Sequence, residues 1–229
     1  TGMTHEQIFK YFYKKKTFTL KNDGWEFDFN KEDYIGSKLD FDLIDSTSGK
    51  VVATSGEKFN IVLSKKIEKL GLRKLIISES ELIGKILAED IYDEKSGIIY
   101  FEAGDEVSEN LLKHLKKNNQ KSINLLDINA NKQGSYIRDT FLADKNKNRN
   151  DALFEIYKIM RPGEPPTIES ADALFQSLFF DRERYDLSPV GRLKLNSRLG
   201  LETDLNLRTL ENLDIISIVK YLAELKDGI

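Results

Sequence analysis

The feature that most constrains this chain is a cluster of prolines just after residue 160. Three of the four prolines in the sequence lie between Pro162 and Pro166. Proline fixes φ and removes a backbone donor, and the residue before a proline is disfavoured in the α region. A helix that reaches Arg161 is therefore expected to end there, and the residues that follow are predicted to form a stiff, extended connector.

Helical patterns lie on both sides of this connector. Residues 151–160 place apolar side chains at helical spacing. After the connector, Thr167 can accept a hydrogen bond from an N–H of the first turn and so begin a second helix. Its predicted inward face consists of Ile168, Ala171, Leu174, Phe175, Leu178 and Phe179. The sequence thus predicts a rigid helical elbow, whose structural residues are Pro162, Gly163, Pro165, Pro166 and Thr167.

Composition narrows the class of protein. Hydrophobic residues make up 40% of the 229 residues, enough for a buried core in one large or two small domains. Neither a bilayer-spanning apolar run of roughly 20 residues nor a leader is present, so we expect a cytoplasmic protein without membrane contact. Cysteine is absent and His5 and His114 are the only histidines, which argues against a zinc site. With a net charge of −3, any contact with nucleic acid must come from a local basic patch.

The first 50 residues alternate between helix and strand signals. Thr4 with Gln7 predicts a capped helix over residues 4–13, and residues 17–20 and 25–29 predict a hairpin. Residues 39–43 alternate as a strand does. Three aspartates in and next to this segment, Asp40, Asp42 and Asp45, could bind magnesium. The alternation instead favours the interpretation that they form the solvated face of a strand.

An internal repeat becomes visible when Gly49 is aligned with Gly97, an offset of 48 residues. Each copy is predicted to contain a short strand between two glycines, then an amphipathic helix, then a returning strand. The helices are predicted at 62–70 and 107–117 and the returning strands at 74–77 and 122–126. Residues 82–92, between the copies, are predicted as a further strand. Two copies are too few for a solenoid, so both units are expected to share one small core.

The remaining segments complete the prediction. Residues 135–142 and 204–208 are strand candidates, and Ser188 with Pro189 predicts a helix that ends at Gly200. A last helix is expected over 212–226, with Ile215, Ile218, Val219, Leu222 and Leu225 as its apolar stripe. Ile216 and Tyr221 widen this stripe, which suggests burial on two sides. His114, which has no partner histidine or cysteine, is interpreted as a surface residue. The predicted fold class is α+β: a helical subdomain of residues 1–16 and 135–229, and an inserted α/β domain of residues 17–134.

The elbow carries a resemblance to a known family. The run ALFEIYKIMRPGEPPT at 152–167, the apolar pairs that follow it and RYDLSPVGR at 184–192 resemble the lobe of the bacterial RNA polymerase beta subunit. The segment before the elbow resembles the insertion that proteobacterial beta subunits carry in this lobe. The chain is therefore expected to be an excised fragment of such a subunit.

The resemblance implies a function and a set of partners. It implies that the fragment forms one wall of the downstream DNA cleft of a DNA-directed RNA polymerase, a nucleotidyltransferase, and that its insertion docks regulatory proteins. Expected partners are the beta prime, alpha, omega and sigma subunits, with DNA in the full assembly and association with the nucleoid. No cofactor is expected in the fragment, since aspartates of another subunit hold the catalytic magnesium. No catalytic residues are expected either, because no nucleophile and base can be paired with confidence.

The resemblance also nominates DNA contacts. Arg161 matches a lobe arginine that reaches the non-template strand, although its side chain could equally cap the carbonyls of the preceding helix. Weaker candidates for phosphate contacts are Arg182, Arg184, Arg192, Lys194 and Arg198. Arg184 could instead form an internal ion pair. Two other classes stay open from the residues alone: a free-standing protein-interaction module and an isolated nucleic-acid-binding protein, the latter requiring salt-dependent binding.

Overall fold

A computed structural model describes residues 2–21, 24–93, 95–128, 134–146 and 148–226. The chain divides into two compact units, Thr4–Ser135 and Thr1–Met3 with Tyr136–Ile229. Helices and strands are both present, which confirms the α+β class. In the described residues, no helix combines the length and apolar character needed to cross a bilayer.

The first unit begins with the capped helix α1 (His5–Phe12), in which Thr4 and Gln7 form the predicted capping box. Strands β1 (Lys14–Lys21) and β2 (Gly24–Asp28) form the predicted antiparallel hairpin; its turn residues Asn22 and Asp23 lie outside the described residues. The sequence grouped residues 1–16 with the helical part, whereas α1 lies in the unit of the sheet. Phe9 is buried there, with its ring against the backbone of Gly104.

A six-stranded sheet forms the frame of this unit. The further elements are β3 (Leu43–Asp45), β4 (Val51–Ala53), α2 (Ile61–Lys69), β5 (Lys74–Ile77), α3 (Glu79–Leu82), β6 (Ile91–Tyr92), β7 (Ile99–Phe101), α4 (Glu109–Lys117) and β8 (Ser122–Asp127). The strand order in the sheet is β4-β3-β5-β2-β1-β8. A 3-10 helix covers Lys31–Asp33. The core residues between sheet and helices include Trp25, Leu43, Phe59, Ile67, Leu75, Leu87, Leu111 and Leu115.

The structure contains the predicted repeat and extends it to individual hydrogen bonds. The Asp42 carboxylate accepts the Ser55 N–H at 2.7 Å, and the equivalent Asp90 accepts the Ala103 N–H at 2.7 Å. Asp45 and Asp93 each cap the turn that follows them. The helices and returning strands also lie at equivalent positions. The repeat is therefore one of backbone and capping geometry, although few side chains are identical.

Two strand predictions in this unit are wrong. Residues 39–42 precede the strand instead of forming it: Leu39 donates its N–H to the Glu57 carbonyl and accepts the Gly56 N–H, so the sheet starts only at Leu43. The predicted strand over 82–92 is replaced by α3, a loop and the two-residue β6. The Ser78 N–H donates to the Glu81 carboxylate in a capping box that starts α3.

The copies differ in how their hairpins pair. In the first copy, β3 pairs with both β4 and β5 and so joins the large sheet. In the second copy, β6 and β7 form a separate two-stranded sheet. Leu87, which precedes β6, forms an isolated bridge with Leu125 of the edge strand β8. Ile98 and Tyr100 are exposed.

The second unit is helical: α5 (Tyr136–Ala143), α6 (Arg149–Met160), α7 (Ile168–Phe179), α8 (Ser188–Leu199) and α9 (Asn212–Lys226). Residues 136–143 form a helix and not the predicted strand, because half-buried Ile137 and Phe141 are four residues apart and share one helical face. The strand predicted at 204–208 is a turn. There Asp204 accepts the N–H groups of Asn206 and Leu207.

The helix ends are predicted better than the buried faces. Thr167 caps α7, Ser188 accepts the Gly191 N–H, and Gly200 ends α8 with a left-handed φ of 66°. In α7, however, Ala171 is buried whereas Ile168 and Phe179 are exposed. In α9 the buried residues are Asp214 and Ile216, while Val219, Leu222 and Leu225 of the predicted stripe are exposed. The predicted apolar faces of α7 and α9 therefore include side chains that the core of this unit does not bury.

Candidate nucleic-acid interface

The elbow holds the backbone of Arg161 at the end of α6. Its N–H donates to the Tyr157 carbonyl at 2.8 Å, and its φ of −133° and ψ of 73° lie outside the α region. This is the conformational effect expected of a residue that precedes a proline. The position of the Arg161 Cα is therefore determined by the helix on one side and by Pro162 on the other.

The side chain of Arg161 is held from the connector. Its Nη1 lies 3.5 Å from the Glu164 carboxylate, and the same carboxylate oxygen accepts the Tyr157 hydroxyl at 2.9 Å. Tyr157 is buried between α6 and α7. The Arg161 side chain is 54% exposed. Within the described residues Glu164 is its partner, and no helix carbonyl is, so the capping alternative is not what this structure contains.

The connector differs in one respect from the predicted extended form. Gly163 has a φ of 89°, a left-handed conformation that glycine adopts without strain. The chain therefore turns over residues 161–164, and the Glu164 N–H approaches the Arg161 carbonyl at 3.4 Å. This turn is what brings the Glu164 carboxylate back to Arg161 and Tyr157. Beyond Pro165 and Pro166, the chain enters α7 through the Thr167 cap.

Packing between α6 and α7 stabilises the elbow. Buried Leu153, Tyr157 and Ala171 form its centre, with Phe154, Leu174 and Phe175 packed around them. An ion pair between Arg149 of α6 and Asp172 of α7 adds a polar contact across the same two helices. The packing of α6 against α7 thereby fixes both ends of the connector.

Four of the other candidates have exposed side chains. Arg182 and Arg184 lie in the turn after α7, where the Arg184 Nε is 3.8 Å from the Asp181 carboxylate. Lys194 and Arg198 are four residues apart on α8 and line one open groove. The Arg198 guanidinium lies 5.4 Å from the centre of the Tyr221 ring. None of these four is enclosed, so each can reach an external phosphate.

Arg192 is different, because its side chain has no accessible surface. Its Nε donates to the Leu207 carbonyl at 2.9 Å, its Nη1 donates to Asp214 at 2.7 Å, and its Nη2 donates to the Thr209 carbonyl. Asp214 also accepts the Glu211 N–H at 2.8 Å, at the start of α9. In this structure Arg192 joins α8 to α9, and we leave it out of the DNA-contact set.

A second ion pair of an arginine, Arg208 with Asp186, is not predicted from the sequence. Arg208 donates to both carboxylate oxygens of Asp186, in the bidentate geometry that guanidinium favours. The Arg208 hydrogen bond, followed by the Ser188 N–H, lowers the pKa of Asp186. The partners are 22 residues apart in the sequence, and no local pattern marks them as neighbours.

The described residues contain no group of three or more histidines, aspartates or glutamates placed to bind a metal ion. Asp42 and Asp45 accept backbone N–H groups of nearby turns. His114 is half-buried, with its ring 4.3 Å from the Tyr100 ring and its Nε2 2.7 Å from the Asn118 amide nitrogen. Its surroundings are aromatic and polar.

Comparisons with known proteins bear on the whole chain. Residues 110–229 match the family model described as RNA polymerase Rpb2, domain 2. Over 227 residues, or 99% of the chain, the sequence is 45% identical to the DNA-directed RNA polymerase subunit beta of Rhizobium leguminosarum bv. trifolii and 48% identical to that of Rhizobium rhizogenes. Identity to the corresponding Caulobacter vibrioides subunit is 42%. The chain spans only 16–17% of the length of these relatives.

Proposed function

The chain belongs to the RNA polymerase Rpb2 domain 2 family and corresponds to part of a bacterial beta subunit, and from this premise we propose that it forms the lobe wall of the downstream DNA cleft. The enzyme to which it contributes is a DNA-directed RNA polymerase, a nucleotidyltransferase. The fragment itself performs no catalysis in this proposal. The relatives favour this function over a free-standing interaction module, since the similarity covers nearly every residue of the chain.

One observation carries the DNA-contact part of the proposal: Arg161 is an exposed guanidinium on a backbone fixed by packing. Glu164 orients it from one side and Tyr157 anchors Glu164 in turn. A guanidinium can pair with a phosphate through two parallel hydrogen bonds or stack on an unpaired base. Because Glu164 is also exposed, the pair can open at small energetic cost when DNA offers a competing anion. We propose that Arg161 contacts the non-template strand.

Arg182, Arg184, Lys194 and Arg198 are proposed as secondary phosphate contacts, on the basis of their exposure. Their contribution is electrostatic and falls with salt, since phosphate binding releases counterions. With a net charge of −3 on the chain, these cations alone are too few for tight binding. We therefore expect the isolated chain to bind duplex DNA weakly or not at all. Tight, salt-sensitive duplex binding by the chain alone would argue against this part of the proposal.

The inserted domain, residues 17–134, is proposed as a docking surface for regulatory proteins. The exposed hairpin of β6 and β7 supports this, because it presents apolar side chains outside the large sheet. The proposed partners of the chain are the beta prime, alpha, omega and sigma subunits, in the cytoplasm and on the nucleoid. The catalytic magnesium is proposed to be held by another subunit.

The test of the Arg161 contact is Arg161→Ala in reconstituted polymerase. Loss of a charge-assisted hydrogen bond of roughly 1.5–3 kcal/mol corresponds to about a tenfold or greater shortening of open-complex lifetime. Start-site selection is expected to change as well. Arg73→Ala, which removes an exposed arginine from the other unit, is the matched control and should leave both properties unchanged. Equal behaviour of the two variants would contradict the proposed contact.

A further inference from the structure

A cavity of about 260 Å³ lies in the Thr4–Ser135 unit. Both copies of the repeat line it, through Ile77 at the end of β5 and the equivalent Leu125 of β8. Its aromatic wall consists of Phe18, Phe27, Tyr34 and Phe41, whose neighbouring ring centres are 4.7–6.4 Å apart. This volume lies below the roughly 300 Å³ at which sites for drug-sized ligands begin. The cavity suits a ligand with a single ring.

Two lysines that line this cavity have different surroundings. The Lys16 Nζ lies 3.0 Å from Asp33 and 2.5 Å from Asp127, so its charge is compensated. The Lys85 Nζ lies 5.6 Å from the centre of the Phe41 ring. Among the described residues, no carboxylate is within 4.0 Å of it. Burial lowers the pKa of Lys85, and the more distant Asp127 and Asp40 oppose this only in part. Lys85 is therefore a half-buried cation without a close counter-charge.

The repeat shows that the fold does not need a lysine at this position. The equivalent residue of the first copy is Ser37, whose hydroxyl donates to the Tyr34 carbonyl at 2.7 Å. The backbone roles are the same in both copies, since Phe59 donates to the Ser37 carbonyl and Val107 donates to the Lys85 carbonyl. Only the side chains differ, and the lysine replaces a satisfied hydroxyl with an unpaired ammonium. Such a replacement costs stability unless a ligand compensates it.

We propose that this cavity binds a small aromatic monocarboxylate, with its ring against Phe41 and Tyr34 and its carboxylate on the Lys85 ammonium. The Tyr34 hydroxyl is a second donor, since it has no hydrogen bond within the described part of the chain. Burial raises the pKa of Tyr34 to about 12, so this hydroxyl keeps its proton at neutral pH. Asp40 and Asp127 also line the cavity. Their repulsion grows with the charge of the ligand, which favours a singly charged carboxylate over a doubly charged phosphate.

Binding of this ligand is linked to pH through the ionisable groups that face it. These groups are Lys16, Asp33, Tyr34, Lys38, Asp40 and Asp127. Lys85 must be protonated to pair with the carboxylate, so the affinity is expected to fall as the pH rises through the lowered pKa of Lys85. The bound anion in turn raises that pKa. Lys16 stays paired with its two carboxylates and does not contribute to this decrease.

Calorimetric titration of the 229-residue chain with benzoate tests the proposal, with benzyl alcohol and acetate as probes that lack the charge or the ring. Saturable benzoate binding at one site is expected, with both other probes at least about tenfold weaker. Lys85→Met should weaken benzoate binding by a similar factor. Lys58→Met, at an exposed lysine outside the cavity, should leave it unchanged.

Fluorescence of Trp25, the single tryptophan, reports whether each variant folds. If Lys85→Met does not fold, the test moves to nuclear magnetic resonance of the wild-type chain, in which benzoate must shift the Phe41 and Tyr34 ring signals. Absence of saturable binding, equal affinity of Lys85→Met and wild type, or shifts confined to other residues would overturn the proposal. The proposal is independent of the polymerase function, so neither result decides the other.

Discussion

The two units of this chain bury their apolar side chains to different extents. In the Thr4–Ser135 unit, one face of the antiparallel sheet and the helices of both repeat copies contribute to one continuous core. In the helical unit, the buried cluster between α6 and α7 consists of Leu153, Tyr157 and Ala171. Large apolar side chains on its helices remain exposed, among them Ile159 at 78% and Leu222 at 58%.

This difference shows that the first unit buries most of its apolar side chains within its own core, whereas the helical unit does not. A duplicated strand-helix-strand pattern supplies two helices and two returning strands for one core, so the first unit is expected to fold by itself. The helical unit instead relies on a small core, helix caps and polar pairs such as Arg192 with Asp214. Its exposed apolar faces are of the kind that marks an interaction surface.

The largest expected effect is that of Arg192→Ala. Removing one partner of a buried pair leaves Asp214 as an uncompensated buried charge, which costs about 3–5 kcal/mol. Urea denaturation followed by the helical circular dichroism signal should show the loss, while the Trp25 fluorescence transition of the other unit stays in place. Arg198→Ala, on the exposed face of the same helix, should change stability by less than about 0.5 kcal/mol.

Leu111→Ala tests the core of the first unit. Leu111 is completely buried on α4, so its truncation is expected to cost about 2–5 kcal/mol through lost burial and a residual cavity. The equivalent residue of the first copy, Leu63 on α2, is slightly less buried, and Leu63→Ala should cost less. Trp25 fluorescence during urea denaturation measures both. A Leu63→Ala cost equal to or above that of Leu111→Ala would show that the copies do not share the core as described.

A smaller effect is expected from acid. Glu26 of β2 accepts a hydrogen bond from Ser46, the first cause of its lowered pKa, and from Lys74 at 2.9 Å. A carboxyl whose pKa is lower in the folded state stabilises the fold above its unfolded value of about 4.3, and this contribution is lost as the pH falls through the folded pKa. Glu26→Gln should therefore destabilise the first unit at neutral pH, and this cost should disappear as the pH falls through the lowered pKa of Glu26. Glu32→Gln, at an exposed glutamate, is the control.

The smallest expected effect concerns two ion pairs at equivalent positions of the repeat. Lys31 pairs with Glu68 in the first copy, and Glu79 pairs with Lys116 in the second, with the charges exchanged. The four side chains are 39–60% exposed, so each pair contributes about 0–1 kcal/mol. Glu68→Lys should cost at most this amount, and the double change of Lys31→Glu with Glu68→Lys should restore it. If the double variant were as unstable as Glu68→Lys alone, residues 31 and 68 would not form an ion pair whose charges can be exchanged.

What the sequence predicts well is local. The caps at Thr4, Thr167 and Gly200 and the limits of α9 are correct, because each depends on residues within about one helical turn. The repeat is also found correctly, since it depends on glycines at turns and on the spacing between them. For the candidate site, the end of α6 at Arg161 follows from the proline that comes next.

What the sequence does not predict depends on distant partners. Alternation of Leu and Asp at 39–43 resembles a strand, but hydrogen bonds to residues 56 and 57 hold Leu39 in a loop. The predicted face of α9 rests on apolar residues alone: it includes the buried Ile216 but not Asp214, which is buried with Arg192. Arg192 looks like an exposed cation until its partner 22 residues away is known. The role of Glu164 in orienting Arg161 is likewise not predicted.

The proposed contact between the elbow and DNA can be tested most directly by replacing Arg161 with a photo-crosslinking amino acid in reconstituted polymerase. Irradiation of the open complex, followed by mapping of the crosslinked nucleotide, identifies the strand that lies against this residue. We expect crosslinks to the non-template strand, and none from the same amino acid at the buried position of Tyr157. Crosslinks only to the template strand, or only to protein, would contradict the proposed role of this unit as a wall of the DNA cleft.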